Sequence, residues 1–260
     1  MMNSLWISKT GMQAQQNQLD VISNNMANVS TNGFKRSTAV FEDLMYQNLR
    51  QVGAAADEQN QLPTGLQLGL GVRTVATSRS FTQGSLQQSG NQLDIAVNGN
   101  GFLQVTLPDG TTGYTRDGSL KLNAQGRIVT SSGLPLANDI TIPPEAQSIT
   151  VSPDGVVSVK VPGNAAPQQV GNIELASFIN PGGLEPLGQN LFGETVASGA
   201  PTNAAPGTVG MGSLMQGYVE TSNVNVVQEL VTMIQTQRAY EMNSKAIQTS
   251  DQMLQRLSQL

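Results

Sequence analysis

The chain has 260 residues, of which 38% are hydrophobic and only 12% charged, with a net charge of −5 and a sequence pI near 4.7. This balance excludes a nucleic-acid binder, which needs clustered Lys and Arg, and no apolar run approaches the ~20 residues of a membrane span. Cysteine and histidine are both absent, which removes thiol nucleophiles, disulfides, imidazole catalysis and most zinc sites together.

The length suits one large domain or two small ones. Twenty-seven glycines and 12 prolines mark many turns. Ala, Gln, Asn, Ser and Thr stand where charges usually would. A surface of neutral polar groups costs less to desolvate than a charged one and so suits packing against other chains. The opening "MMNSLWISKTGMQAQQ" has no basic stretch followed by an apolar one, so no Sec-type leader is expected.

In residues 1–30, Leu5, Met12, Leu19 and Met26 recur every seven positions, and Ile22 and Val29 add a second row. The spacing predicts an amphipathic helix with a seam. The stretch "NNMANVSTNGFKR", Asn24 to Arg36, weakens that helix because Asn, Ser and Thr side chains compete for backbone hydrogen bonds. Asn32-Gly33 stops it in a turn. A low-complexity stretch follows from Arg50 to Gly65.

Residues 70–195 change texture. "LDIAV", "FLQVTL", "RIVT", "SITV", "VVSVKV" and "NIELASF" are short β-type runs, separated by turn signals such as Pro108-Asp109-Gly110 and Pro153-Asp154-Gly155. Residues 196–222, rich in Gly, Ala, Pro and Thr, read as a returning linker. From 223 to 260, Val226, Met233, Tyr240, Ile247 and Leu254 again recur every seven residues, widened by Ala239, Ala246, Met253 and Leu260. Thr, Ser and Asn in "TSNVNVVQEL" are candidate N-caps, and Glu229 favours the helix dipole. The fold class expected is α+β, with two long terminal helices that pair as a coiled coil and bracket a central β-rich domain. One helix with one apolar stripe does not offset the backbone entropy of ordering it. The termini are therefore expected to be disordered in a free monomer and helical once paired with each other and with further copies.

No chemical motif stands above background. Gly99-x-Gly101 has no third glycine and precedes β-type residues, where a phosphate loop needs a helix N-terminus. "YTRDGS" puts Arg116 and Asp117 beside Tyr114, which is more simply a hairpin turn. The expectation is no catalytic residue, no cofactor and no metal.

Three blocks together resemble one family, the bacterial flagellar axial proteins of rod and hook. They are "NNMANVSTNGFKR", "LDIAVNGNGFLQV…GYTRDGSLKLNAQGRIVTSSGLPL" and "GYVETSNVNVVQELVTMIQTQRAYEMNSKAIQTSDQMLQRLSQL", in the family's order. Within it, the length and the segment Tyr46 to Pro63 are similar to distal-rod subunits. The alternatives are a proximal rod or hook subunit, or a β-domain protein that binds cell-wall glycan. The resemblance implies a subunit of a rigid, hollow helical tube that transmits torque from motor to hook and serves as an export channel. Its implied partners are further copies of itself, proximal rod proteins, the hook protein, P-ring and L-ring proteins and the flagellar type III export apparatus. The implied location is the basal body, in the rod crossing the periplasm, reached without a cleaved signal. The resemblance makes Asn24, Asn25, Ala27, Asn28, Thr31, Gly33, Phe34 and Lys35 the signature segment for export and assembly. It also implies that the paired terminal helices form the inner domain and residues 31–69 an extended connector, with Gly33 permitting a sharp bend and Phe34 anchoring the connector against a neighbour. Lys35 and Arg36 are expected to stay solvated or to pair across subunits.

Overall fold

A computed structural model describes residues 2–50, 64–163 and 166–257. Two long helices and many short strands make the chain α+β: α1 spans Met2–Ala27 and α2 spans Val226–Leu257. The chain divides into two compact units. The first holds residues 1–26, 37–78 and 225–260, and the second holds 27–36 and 79–224.

In the first unit, α1 contains no proline, and its Gly11 lies where a Cβ would come 3.0 Å from the side-chain amide of Asn243 in α2. A side chain there would have to displace the end of the Asn243 side chain by a few tenths of an ångström. Asn225 caps α2: its Oδ1 accepts from the backbone N–H of Val227 at 3.1 Å and of Gln228 at 3.3 Å. Strand Ser37–Asp43 pairs with Val72–Arg79. Strand Tyr46–Arg50 pairs antiparallel with Leu66–Gly69, exposed along nearly its whole length. Residues 51–63, the remainder of the distal-rod segment, lie outside the described residues. Polar side chains fasten α1 to these strands: Asn17 Nδ2 donates to Thr74 Oγ1 at 3.0 Å and Asn3 Nδ2 to Gln47 Oε1 at 3.1 Å.

The second unit is built on a six-stranded antiparallel sheet. Its order is Glu185–Gly188, Leu191–Gly193, Thr112–Thr115, Phe102–Thr106, Leu175–Ser177, Thr202–Ala204. Alternate residues face opposite sides of a strand, so this sheet serves two cores. Leu103, Leu175 and Leu191 join an aliphatic core with Ile95, Val97, Leu120 and Val157. Their neighbours Phe102, Ala176 and Phe192 join an aromatic one with Tyr114 and Phe178. The rings meet edge to face, with Tyr114 and Phe178 4.8 Å apart between centroids. A three-stranded sheet, Ser148–Val151, Val156–Lys160 and Gln168–Asn172, adds Val151, Val157 and Val159 to the aliphatic core.

Residues 196–222, read from composition as a linker, carry three strands. Thr202–Ala204 closes the large sheet, Ser213–Gln216 pairs with Ile95–Asn98, and Tyr218–Glu220 pairs with Leu86–Gln88. Small and turn-forming residues do not preclude pairing when the partner strand supplies the register.

Candidate assembly site

The segment Asn24–Arg36 begins inside α1. Asn25 is buried, and its side-chain amide works in three directions: Nδ2 donates to Ser37 O at 2.8 Å and to Glu229 Oε2 at 3.3 Å, and Oδ1 accepts from Ser37 N at 3.0 Å. After Ala27 the chain turns, with Thr31 N–H donating to Asn28 O at 3.2 Å and Thr31 Oγ1 to Asn28 Oδ1 at 3.2 Å. Asn24 and Ala27 lie on the surface, while Asn28, Thr31 and Phe34 are half-buried.

Gly33 adopts a φ of 69°, and a Cβ there would stand 2.6 Å from the backbone nitrogen of Asp117. Only glycine meets both demands. Within the second unit, hydrogen bonds hold the chain on both sides of this bend. Asn190 Nδ2 donates to Asn32 O at 3.0 Å, Gly33 N–H to Glu220 O at 2.8 Å, and Arg36 N–H to Asn223 Oδ1 at 2.7 Å.

Lys35 departs from the expectation that it is solvated or paired across subunits. Its side chain is 1% exposed and pairs within its own chain, donating to Glu220 Oε1 at 2.6 Å and to Thr82 O at 2.8 Å. Glu220 also accepts from Gly84 N–H at 2.8 Å and, through Oε2, faces Arg116 Nη1 at 3.5 Å. Arg116 in turn donates to Val97 O and Gly99 O, and its guanidinium lies over the Phe102 ring. Two buried cations therefore share one buried carboxylate. Burial lowers the pKa of Lys35 against the raising influence of Glu220, and burial likewise lowers Arg116. Sequence reading missed this cluster because its members lie 104 and 185 positions from Glu220. The retrievable signal was an Arg and a Glu inside runs of β-type residues.

The seam residues fall as follows. Leu5, Met12, Leu19 and Met26 of α1 are half-buried, as are Met233 and Ile247 of α2, whereas Val226, Tyr240 and Leu254 are exposed. Three buried residues of α2 are polar, Glu229, Thr236 and Ser250, and with half-buried Asn243 they too recur every seven positions. Asn243 Nδ2 donates to Gln15 Oε1 of α1 at 3.2 Å. Within one chain the covered row of α2 is thus polar, three residues on from the apolar row.

No group of His, Cys, Asp and Glu suited to a metal occurs among the described residues, and no described helix is long and apolar enough to cross a membrane. A groove of about 890 Å³ on the second unit is lined by Tyr114, Glu185, Leu187, Glu194 and Val196.

Three family models match the chain. That described as flagella basal body rod protein covers residues 5–35, flagellar hook protein FlgE/F/G D1 domain covers 96–159, and flagellar basal body rod FlgEFG protein C-terminal covers 215–260. The chain is 58% identical over 260 residues to the flagellar basal-body rod protein FlgG of Buchnera aphidicola subsp. Schizaphis graminum, covering all of both chains. It is 49% identical over 256 residues to that of Borreliella burgdorferi, covering 98% of this chain and 97% of the relative. With the flagellar basal-body rod protein FlgF of Caulobacter vibrioides it shares 35% over 250 residues, 94% of this chain and 91% of that one. End-to-end likeness at these levels, with each signature block overlapping one of the matched segments, makes the chain a member of the flagellar basal-body rod protein family, on its FlgG side.

Proposed function

We propose that this chain is the structural subunit of the flagellar distal rod. Copies polymerise through their terminal helices into a rigid, hollow tube that transmits torque from motor to hook and carries exported chains. The observation that carries the reading is the apolar surface the first unit leaves uncovered: Val226, Val227, Leu230, Val231 and Ile234 are all exposed in succession around α2. A helix with its polar row turned inward and its apolar residues outward is suited to burying the latter against further copies. One heterologous interface repeated from copy to copy generates an open helical filament. The half-buried seam residues Leu5, Met12, Leu19, Met26, Met233 and Ile247 would add to the contact between copies. The partners are then the proximal rod and hook proteins at the tube's ends, P- and L-ring proteins around it, and the export apparatus that delivers each chain to the basal body. The work is assembly, without turnover.

Circular dichroism and electron microscopy of the purified chain, as concentration is raised or a seed added, test this reading. Helix content that rises as straight tubes appear is the result expected. A fully helical monomer that never assembles would overturn it. The groove with Glu185 and Glu194 favours one alternative, glycan binding; chemical-shift changes of its lining residues on adding cell-wall oligosaccharide would support that instead.

A further inference from the structure

We infer that Lys35, Arg116 and Glu220 form a charge latch that fastens the three matched segments of the chain to one another, with Glu220 as the shared half. Each residue belongs to a different matched segment: Lys35 closes the first, Arg116 lies in the second and Glu220 in the third. All three are buried, at 1%, 4% and 1% exposure. Backbone and side chain meet in the same place. Gly33 N–H binds the carbonyl of Glu220, and two residues later Lys35 binds its carboxylate. The strand Tyr218–Glu220 is itself held by Leu86–Gln88, and Gly84 just before that strand donates to the same carboxylate.

Well-packed apolar residues of similar volume often serve as well as a buried ion cluster, so bulk stability is a weak reason for these charges. What they supply is a condition. A buried cation without its anion is far less favourable than either the complete cluster or the solvated residue. The segment Thr31–Arg36 therefore docks only when the C-terminal block has delivered Glu220, and partial docking is disfavoured. The latch is also asymmetric. Without Lys35, the carboxylate keeps Arg116 and the Gly84 amide. Without the carboxylate, two cations are stranded.

Amide hydrogen exchange of the full chain, kept monomeric by dilution, tests this at Gly33, Arg36 and Gly84. In Lys35→Met, exchange at these amides should quicken on the order of tenfold or less, and in Glu220→Gln on the order of a hundredfold. Equal effects in the two variants, or unchanged exchange in Glu220→Gln, would overturn the latch. If Glu220→Gln does not fold, Lys35→Met/Glu220→Gln decides. Removing one stranded cation should restore part of the structure, and a double variant no better than the single one would overturn the inference. The readout lies within one chain, so its failure is separate from any failure to form tubes.

Discussion

At Lys35 the linkage between charge and stability runs opposite to that of an ordinary paired lysine. Its folded pKa lies below the usual 10.5 because burial outweighs the attraction of Glu220, with Arg116 adding repulsion. Between the folded and the unfolded pKa, the unfolded chain binds more protons than the folded one. Stability contributed by this group must therefore rise with pH across that window, where a surface lysine gaining a partner would lose it. Urea unfolding of the wild type as the pH is raised toward 10.5 should show that rise, and Lys35→Met should flatten it. Gly33 permits a second prediction. Gly33→Ala forces a side chain into a left-handed backbone and against Asp117, at a cost of about 1–3 kcal/mol. A fall in the denaturation midpoint of the second unit, with unchanged helix content, is the expected outcome. The bend was legible in the sequence as Asn32-Gly33. The fate of Lys35 was not, since nothing local to "GFKR" says that a carboxylate 185 positions away will cover it.

Among the elements, α2 was the most legible, because a periodic run without Gly or Pro leaves little else for the chain to do. Its cap confirms the polar start: Asn225→Ala should destabilise the first turn by about 1 kcal/mol, read as faster amide exchange at Val227 and Gln228. Which row of α2 faces inward was illegible. Heptad reasoning follows apolar residues, whereas Glu229, Thr236 and Asn243 find polar partners in Asn25, the helix backbone and Gln15. Ile234, half exposed, makes the distinction testable. Ile234→Asp should leave the monomer's fold and unfolding midpoint within about 0.5 kcal/mol, the usual size for surface changes, while abolishing tube formation by electron microscopy. On the large sheet, Phe192 sits between Phe81 and Phe102, with ring centroids at 5.3 and 6.1 Å. Phe192→Ala should cost the second unit about 3–5 kcal/mol in urea unfolding. The strands of residues 95–177 were readable from alternation and turns. Those of 202–220 were not, because their register comes from partner strands far earlier in the chain.

At the scale of the whole molecule, each compact unit is closed by a buried polar link between the two ends of the chain. In the first it is Asn25 to Glu229, 204 positions apart, and in the second Lys35 to Glu220. The sequence announced two helices around a β-rich middle, but the division into units interleaves them, with the chain crossing from one unit to the other near residues 26, 36, 78 and 224. Such interleaving leaves no trace in composition. It also sets a clock. Contacts between residues this distant form slowly, because nearly the full length must be gathered before either link rewards it. A chain passing through a narrow conduit, whichever end leads, can close neither link until almost all of it has emerged. In any such passage this topology would hold back both links until the end.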